Sequence, residues 1–187
     1  MNRLRSIGSM LLTTLLLVVG HALIVPMSVS ASSAVPPTVP DTIAVPAGSA
    51  LLFSRHATGA QIYECQNGEW ALHAPRALLF DPVSNLADGI HYGGIDRGLT
   101  PGPWWESTED GSRVRGAKTG EAASPNAHSI PQLRLEVKER QGSGAFTPVS
   151  YIQRLNTVGG LAPSGRCKAG AERWVPYTAD YYFYAAP

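Results

Sequence analysis

Charge of one sign is missing from this chain. Fifteen Lys and Arg stand against 14 Asp and Glu, a formal net charge of +1, and only 16% of residues are charged. This excludes a disordered acidic or basic tail, and no basic excess points to nucleic acid. The motifs that announce common chemistries are missing too. There is no G-x-S-x-G elbow, H-E-x-x-H pair, P-loop or G-x-G-x-x-G turn. No EF-hand loop, zinc-spaced Cys/His set or N-x-S/T sequon occurs. No cofactor and no metal site is therefore expected. Cysteine is scarce: the two present, Cys65 and Cys167, lack the C-x-x-C spacing of a redox thiol pair, and in an exported protein such a pair forms a structural disulfide.

Export is read from the N-terminus. Residues 1–31 carry Arg3 and Arg5, then an apolar stretch from Met10 to Val19 that Leu23–Val25 extends, and end at the small-residue site Val29-Ser30-Ala31, with Ser32-Ser33-Ala34 as second choice. This is a secretory signal peptide. Gly20, His21 and Pro26 interrupt the run, against a permanent anchor, so the membrane is met only in transit. Removal of 1–31 leaves 156 residues with net charge −1, enough for one domain with a true core. The expected location is extracellular or in the cell envelope.

What is abundant is punctuation. Nineteen Gly and 15 Pro suit a turn-rich β protein. Residues 32–44 read as a Pro/Ser-rich linker and 45–187 as one secreted β domain. Ser49–His56 and Ala60–Gln66 read as strands joined by a Thr58-Gly59 turn, and Asn67-Gly68 is a strong hairpin signal leading to Glu69–Leu72. Another apolar stretch, Ala77–Phe80, stops at Asp81-Pro82. From Asp88 to His128 eight glycines and three prolines predict short strands joined by long loops. Leu133–Glu139 alternates cleanly, with Leu133, Leu135 and Val137 on one face. Thr147–Asn156 returns as a strand, Val158–Lys168 is loop, and Val175–Tyr184 closes the chain with Tyr177, Tyr181 and Phe183 on one face and Tyr182 and Tyr184 on the other. Eight to ten short strands without a helical period predict an all-β, single-domain antiparallel sandwich or barrel with long Gly/Pro-rich loops and one disulfide.

The residues with chemistry cluster at His91, Trp104, Trp105, Glu106 and Asp110. Neighbouring tryptophans on a strand face opposite ways, so one packs inward and the other can present a ring. A ring edged by a carboxylate suits an apolar ligand or the C–H face of a sugar. The ligand role asks for at least one ring exposed in a concavity; two buried rings leave only the structural reading. His91 with Glu106 or Asp110 forms the candidate acid–base pair, which requires hydrogen-bond reach. His56, His73 and His128 are scattered singly. Arg55 suits either an anion or a solvated strand face. Arg154 is expected to be a buried arginine pairing a loop carboxylate, with ligand contact as the alternative.

Five strings together carry a resemblance: His91-Tyr92-Gly93-Gly94; Trp105 with Asp110-Gly111-Ser112; Ser129-Ile130-Pro131-Gln132-Leu133; Tyr151-Ile152-Gln153-Arg154 with Thr157-Val158-Gly159-Gly160; and Val175–Tyr184. From Val45 to the C-terminus the chain resembles the secreted bacterial and fungal domain-of-unknown-function family numbered thirty-four fifty-five. A compact H-x-x-G-P-x-W stretch of that family is expanded here by Ile95–Gly102, and Gln132 stands where many relatives have Trp. The resemblance implies an exported β domain with a disulfide and no established activity. Some fungal members carry a dehydrogenase name, but a nicotinamide fold needs a βαβ unit and a Gly-rich phosphate turn, which this sequence lacks.

Two functional classes follow. The first is a non-catalytic binding or envelope-associated module presenting these aromatic and acidic residues to a small apolar or glycan-like ligand. The second is a secreted hydrolase or isomerase using the His/carboxylate pair. A purely structural extracellular protein is the remaining reading. Ligand identity and oligomeric state are not legible in the sequence.

Overall fold

The hairpin at Asn67-Gly68 forms as its residue types require: both take positive φ, 55° and 85°, the conformation of a two-residue turn matched to strand twist. It joins the first two strands of the computed structural model, which describes residues 35–187. The expected signal peptide, residues 1–31, lies outside the described residues. Eight strands follow in chain order: β1 (Ala50–Gln66), β2 (Glu69–Phe80), β3 (Ala87–Gly93), β4 (Pro103–Ser107), β5 (Arg113–Ala122), β6 (Gln132–Gln141), β7 (Tyr151–Gly159) and β8 (Glu172–Ala185). Each pairs antiparallel with the next, and β8 returns to β1, closing an up-and-down barrel. Of the two all-β architectures expected, the barrel is the one formed.

Two expected boundaries are corrected. Thr58-Gly59 is not a turn but the middle of β1, where Gly59 pairs with Ala77 of β2 and Tyr177 of β8. A Cβ at Gly59 would stand 2.1 Å from the Arg76 carbonyl oxygen and 2.5 Å from the Ala77 Cα. The glycine marks a close strand approach, not a reversal. Likewise Glu69–Leu72 and Ala77–Phe80 are halves of the single strand β2, with a register shift beside His73 that accommodates the extra residue. The segment expected as linker is anchored over its last residues. Ile43, in a short 3-10 turn Asp41–Ile43, is fully buried, and its carbonyl accepts from Gln153 Nε2 at 2.7 Å.

Alternation sorts the side chains as predicted for β6 and β8. Leu135 and Val137 enter the core with Tyr177, Ala179, Tyr181 and Phe183, and Leu133 packs against them. Tyr184, on the outer face, is covered and donates to Gln153 Oε1 at 2.7 Å. One end of the barrel is plugged by aromatics: Phe53 stacks on Phe183 with centroids 4.8 Å apart, and Phe146 meets both edge-on at 5.4 and 5.1 Å. An eight-stranded barrel has room for filling side chains or for a cavity; here side chains fill one end and a cavity opens at the other. The disulfide is formed, Cys65 at the end of β1 bonding Cys167 in the β7–β8 loop. It pins that loop beside the first hairpin, where Cys167 N–H donates to the Gly68 carbonyl at 3.1 Å.

Candidate functional site

His91 and Trp105 are register partners on β3 and β4. Both point inward, since Trp105 also pairs with the core residue Val114. Their rings stack with centroids 4.3 Å apart and planes 13° from parallel, and Tyr181 of β8 closes on them edge-first at 5.1 and 5.4 Å. His91 Nδ1–H donates to the Trp104 carbonyl at 2.8 Å. That bond fixes the neutral tautomer, leaving Nε2 as a lone-pair acceptor. Burial, the dominant cause, pushes the His91 pKa down to about 3, and the Arg154 guanidinium works in the same direction.

This aromatic trio is part of the floor of a cavity at the barrel end opposite the phenylalanine plug. The cavity volume is about 480 Å³, within the range that holds a drug-sized ligand. Leu72, Pro75, Ile95, Pro101, Pro103, Leu133 and Leu135 give it apolar walls. Polar groups are few: Gln61, His73, His91, Arg115, Lys118, Arg154 and Tyr181. No carboxylate lines it.

The residues singled out from sequence are divided by strand parity. Trp104 and Glu106 flank Trp105 on β4 and therefore face outward. Trp104 is 0% exposed because the Gly94–Gly102 segment folds over it, with Trp104 Nε1–H donating to the Thr100 carbonyl at 2.9 Å. Glu106 accepts from the Tyr92 hydroxyl at 2.5 Å and pairs with Arg113 at 3.4 Å and Arg97 at 3.8 Å. Burial and that carboxylate push the Tyr92 pKa up to about 12. Asp110 lies in the β4–β5 turn at the plugged end, where its carboxylate accepts from the Ser112 and Ala145 backbone N–H groups, each at 2.8 Å. A hydrogen bond from the Ser112 side chain, together with those backbone bonds, holds its pKa below the usual carboxylate range. The expected His91–Glu106 and His91–Asp110 pairs are thus not assembled: the sheet separates the first and the length of β4 the second. Trp104 and Trp105 are 0% and 1% exposed, so the exposed tryptophan ring expected from the sequence for a ligand role is not found, and any binding reading rests on the cavity instead. Of the five sequence candidates only His91 and Trp105 meet at the cavity.

The remaining candidates resolve locally. Arg55 is taken by carboxylates, forking onto Asp88 at 2.8 and 2.5 Å with Asp81 at 3.2 Å. His56 contacts Asp180 at 2.8 Å, and His73 sits between Asp96 at 2.8 Å and Glu64 at 3.3 Å. Among the described residues no three His, Cys, Asp or Glu side chains converge as a metal site. Arg154 does not pair a loop carboxylate. Its Nε and Nη2 donate to the Pro131 carbonyl at 3.2 and 2.9 Å, because the Ser129–Pro131 segment docks onto the inner wall at Ile130. Gln61 and Arg154 were not grouped with His91 and Trp105 from sequence. Strand alternation carries a partial signal for Arg154, which pairs with inward Tyr181.

Comparison with known proteins adds one finding. A family model described as a protein of unknown function (DUF3455) matches residues 46–185. No curated protein and no solved structure matches the chain.

Proposed function

The chain belongs to the DUF3455 family, whose description assigns no activity, and from its cavity we propose that it is an exported, non-catalytic binding protein for one small molecule with an apolar body. The observation that carries this reading is the cavity of about 480 Å³ at the open end of the barrel, apolar-walled and floored by the stacked His91–Trp105 pair. Barrel mouths are a recurrent place for such ligands, and rigid aromatic floors lose little entropy on binding. The mainly apolar walls favour an apolar face over a glycan: of the polar groups, Arg115, Lys118 and His73 already hold carboxylates, which leaves Gln61, His91, Arg154 and Tyr181. The acid–base alternative is disfavoured, because the cavity lacks a carboxylate and His91 is a poor proton acceptor with a pKa near 3. Export is supported by the signal-like residues 1–31 and by the Cys65–Cys167 disulfide.

The test uses N-phenylnaphthylamine, a neutral dye that brightens in apolar surroundings, with the oxidised protein. Saturable brightening at one site is expected. Leu133→Trp, which fills the mouth wall, weakens binding by about tenfold or more, whereas Glu106→Gln, on the outer face, leaves it unchanged. No saturable brightening, or equal binding by wild type and Leu133→Trp, overturns the reading.

A further inference from the structure

The polar groups of the cavity are unbalanced. Arg115, Lys118 and His73 at its rim each have a carboxylate partner: Glu139 at 2.7 Å, Glu121 at 2.8 Å, and Asp96 at 2.8 Å with Glu64. Arg154 has none. Its two hydrogen bonds end on one neutral carbonyl, that of Pro131. Arg134 and Arg140 also end on carbonyls, but neither lines the cavity. Arg154 is half-buried at a mainly apolar cavity and has no carboxylate beside it, so a counter-charge there would have a ready partner.

The neighbouring side chains repeat the asymmetry. Gln61 is 2% exposed and Trp105 1%, both line the cavity, and Gln61 Nε2 and Trp105 Nε1 are buried donors without a partner. Native proteins rarely leave such groups unmet, and two of the three found among the described residues, Ser49 Oγ being the other, line this one cavity, where an acceptor from outside the chain would meet them. His91 adds no positive charge, because its Nδ1–H bond to Trp104 and its burial keep it neutral.

We infer that the cavity is built for an amphipathic monoanion, its apolar tail against the Leu133–Leu135 wall and its carboxylate, or an equivalent singly charged oxyanion, on the Arg154 guanidinium. This rests on the binding reading above and deepens it by naming the head group. One guanidinium matches one negative charge; a dianionic phosphate ester would bring an uncompensated charge into the same enclosure. Charge-assisted bonds from Arg to oxyanions are the strongest of the hydrogen bonds available here.

The experiment is displacement of N-phenylnaphthylamine from the oxidised wild-type protein by decanoate, decanol and decyl phosphate at neutral pH. Decanoate is expected to displace the dye at a concentration about tenfold or more below that of decanol. The advantage is lost in Arg154→Met and partly kept in Arg154→Lys. Equal displacement by decanoate and decanol overturns the inference while leaving the binding reading intact, and so does decyl phosphate outcompeting decanoate. A dye that fails to bind at all removes the binding reading first. Should Arg154→Met not fold, the wild-type comparison of acid against alcohol still decides.

Discussion

Burying His91 as a neutral ring makes the stability of the barrel depend on acid in a direction and size that can be worked out. Its native pKa is about 3, against 6.5 when exposed. As pH falls below 6.5 the unfolded chain takes up a proton that the native state refuses, so folding stability is lost with acid across the interval from 6.5 down to about 3. Each unit of difference is worth about 1.4 kcal/mol, so descent from about pH 7.5 to about pH 5 costs about 2 kcal/mol. His91→Phe keeps a ring against Trp105 but removes the titration. It also strands the Trp104 carbonyl, an offset of about 1 to 3 kcal/mol that does not vary with pH. Asp81, Asp110 and Glu139, whose carboxyls are held below their usual values by hydrogen bonds, contribute stability that is lost at lower pH, as acid passes through their depressed pKa values. Their contribution, and that of the other histidines, is common to both proteins and cancels in the comparison. Urea unfolding of wild type and His91→Phe at several pH values in this window gives the answer. The two stabilities are expected to converge by about 2 kcal/mol as pH falls to about 5. Parallel curves would refute a buried neutral His91, and with it the rigid floor assigned to the cavity.

Two further outcomes test the frame that holds the cavity. Replacing Cys65 and Cys167 together by Ser releases a cross-link over a sequence separation of 102 residues and is expected to lower stability by about 4 kcal/mol, read from urea midpoints; an unchanged midpoint would mean that the loop pinned beside the first hairpin contributes nothing. Gly59→Ala places a methyl group 2.1 Å from the Arg76 carbonyl oxygen, which the β1–β2 pair cannot relieve by a rotamer change. A loss of about 2 kcal/mol or more is expected in thermal or urea unfolding, and a melting temperature equal to wild type would contradict the close approach.

The parts of this fold that sequence discloses are those governed by period two. The inward face of β8 and the Leu133–Leu135–Val137 stripe of β6 need only alternation, and Asn67-Gly68 needs only the positive φ that its residue types tolerate. Gly59 is opaque for the opposite reason. A glycine at a turn and a glycine under a crossing strand look alike in sequence, and only the position of Arg76 and Ala77 tells them apart. The site shows the same division. That Trp104 and Trp105 face opposite ways is read from adjacency alone, and the same parity places Glu106 with Trp104. Which face becomes the interior depends on barrel closure, and β1, β3, β4, β7 and β8 each supply one residue of the floor from distant stretches of chain. Arg154 misleads because a buried arginine ordinarily finds a carboxylate; the docking of Pro131 supplies a carbonyl instead.

The two ends of the barrel solve the same packing problem with different chemistry. At the plugged end Phe53, Phe146 and Phe183 fill the lumen, and the charged groups Arg55 and Asp110 are satisfied, Arg55 by Asp88 and Asp81, Asp110 by Ser112 and Ala145. At the other end the lumen stays open, and a guanidinium, an amide and an indole N–H lack equivalent partners. The plugged end shows that this chain can supply fillers and counter-charges to a barrel lumen. Of the three buried side-chain atoms without a partner among the described residues, Ser49 Oγ lies just before β1 on the plugged side, while Gln61 Nε2 and Trp105 Nε1 line the open cavity. Two unmet donors and a guanidinium without a carboxylate at one cavity are expected where a site must meet something external. The same contrast weighs against proton-transfer chemistry. A general base needs a pKa near the working pH and a partner to orient it, whereas His91 is oriented by a backbone carbonyl and held neutral far into acid. Its contribution to the proposed site is shape, a flat ring that keeps Trp105 in place, with the Nε2 lone pair as an acceptor beside Gln61 Oε1 and the Tyr181 hydroxyl oxygen.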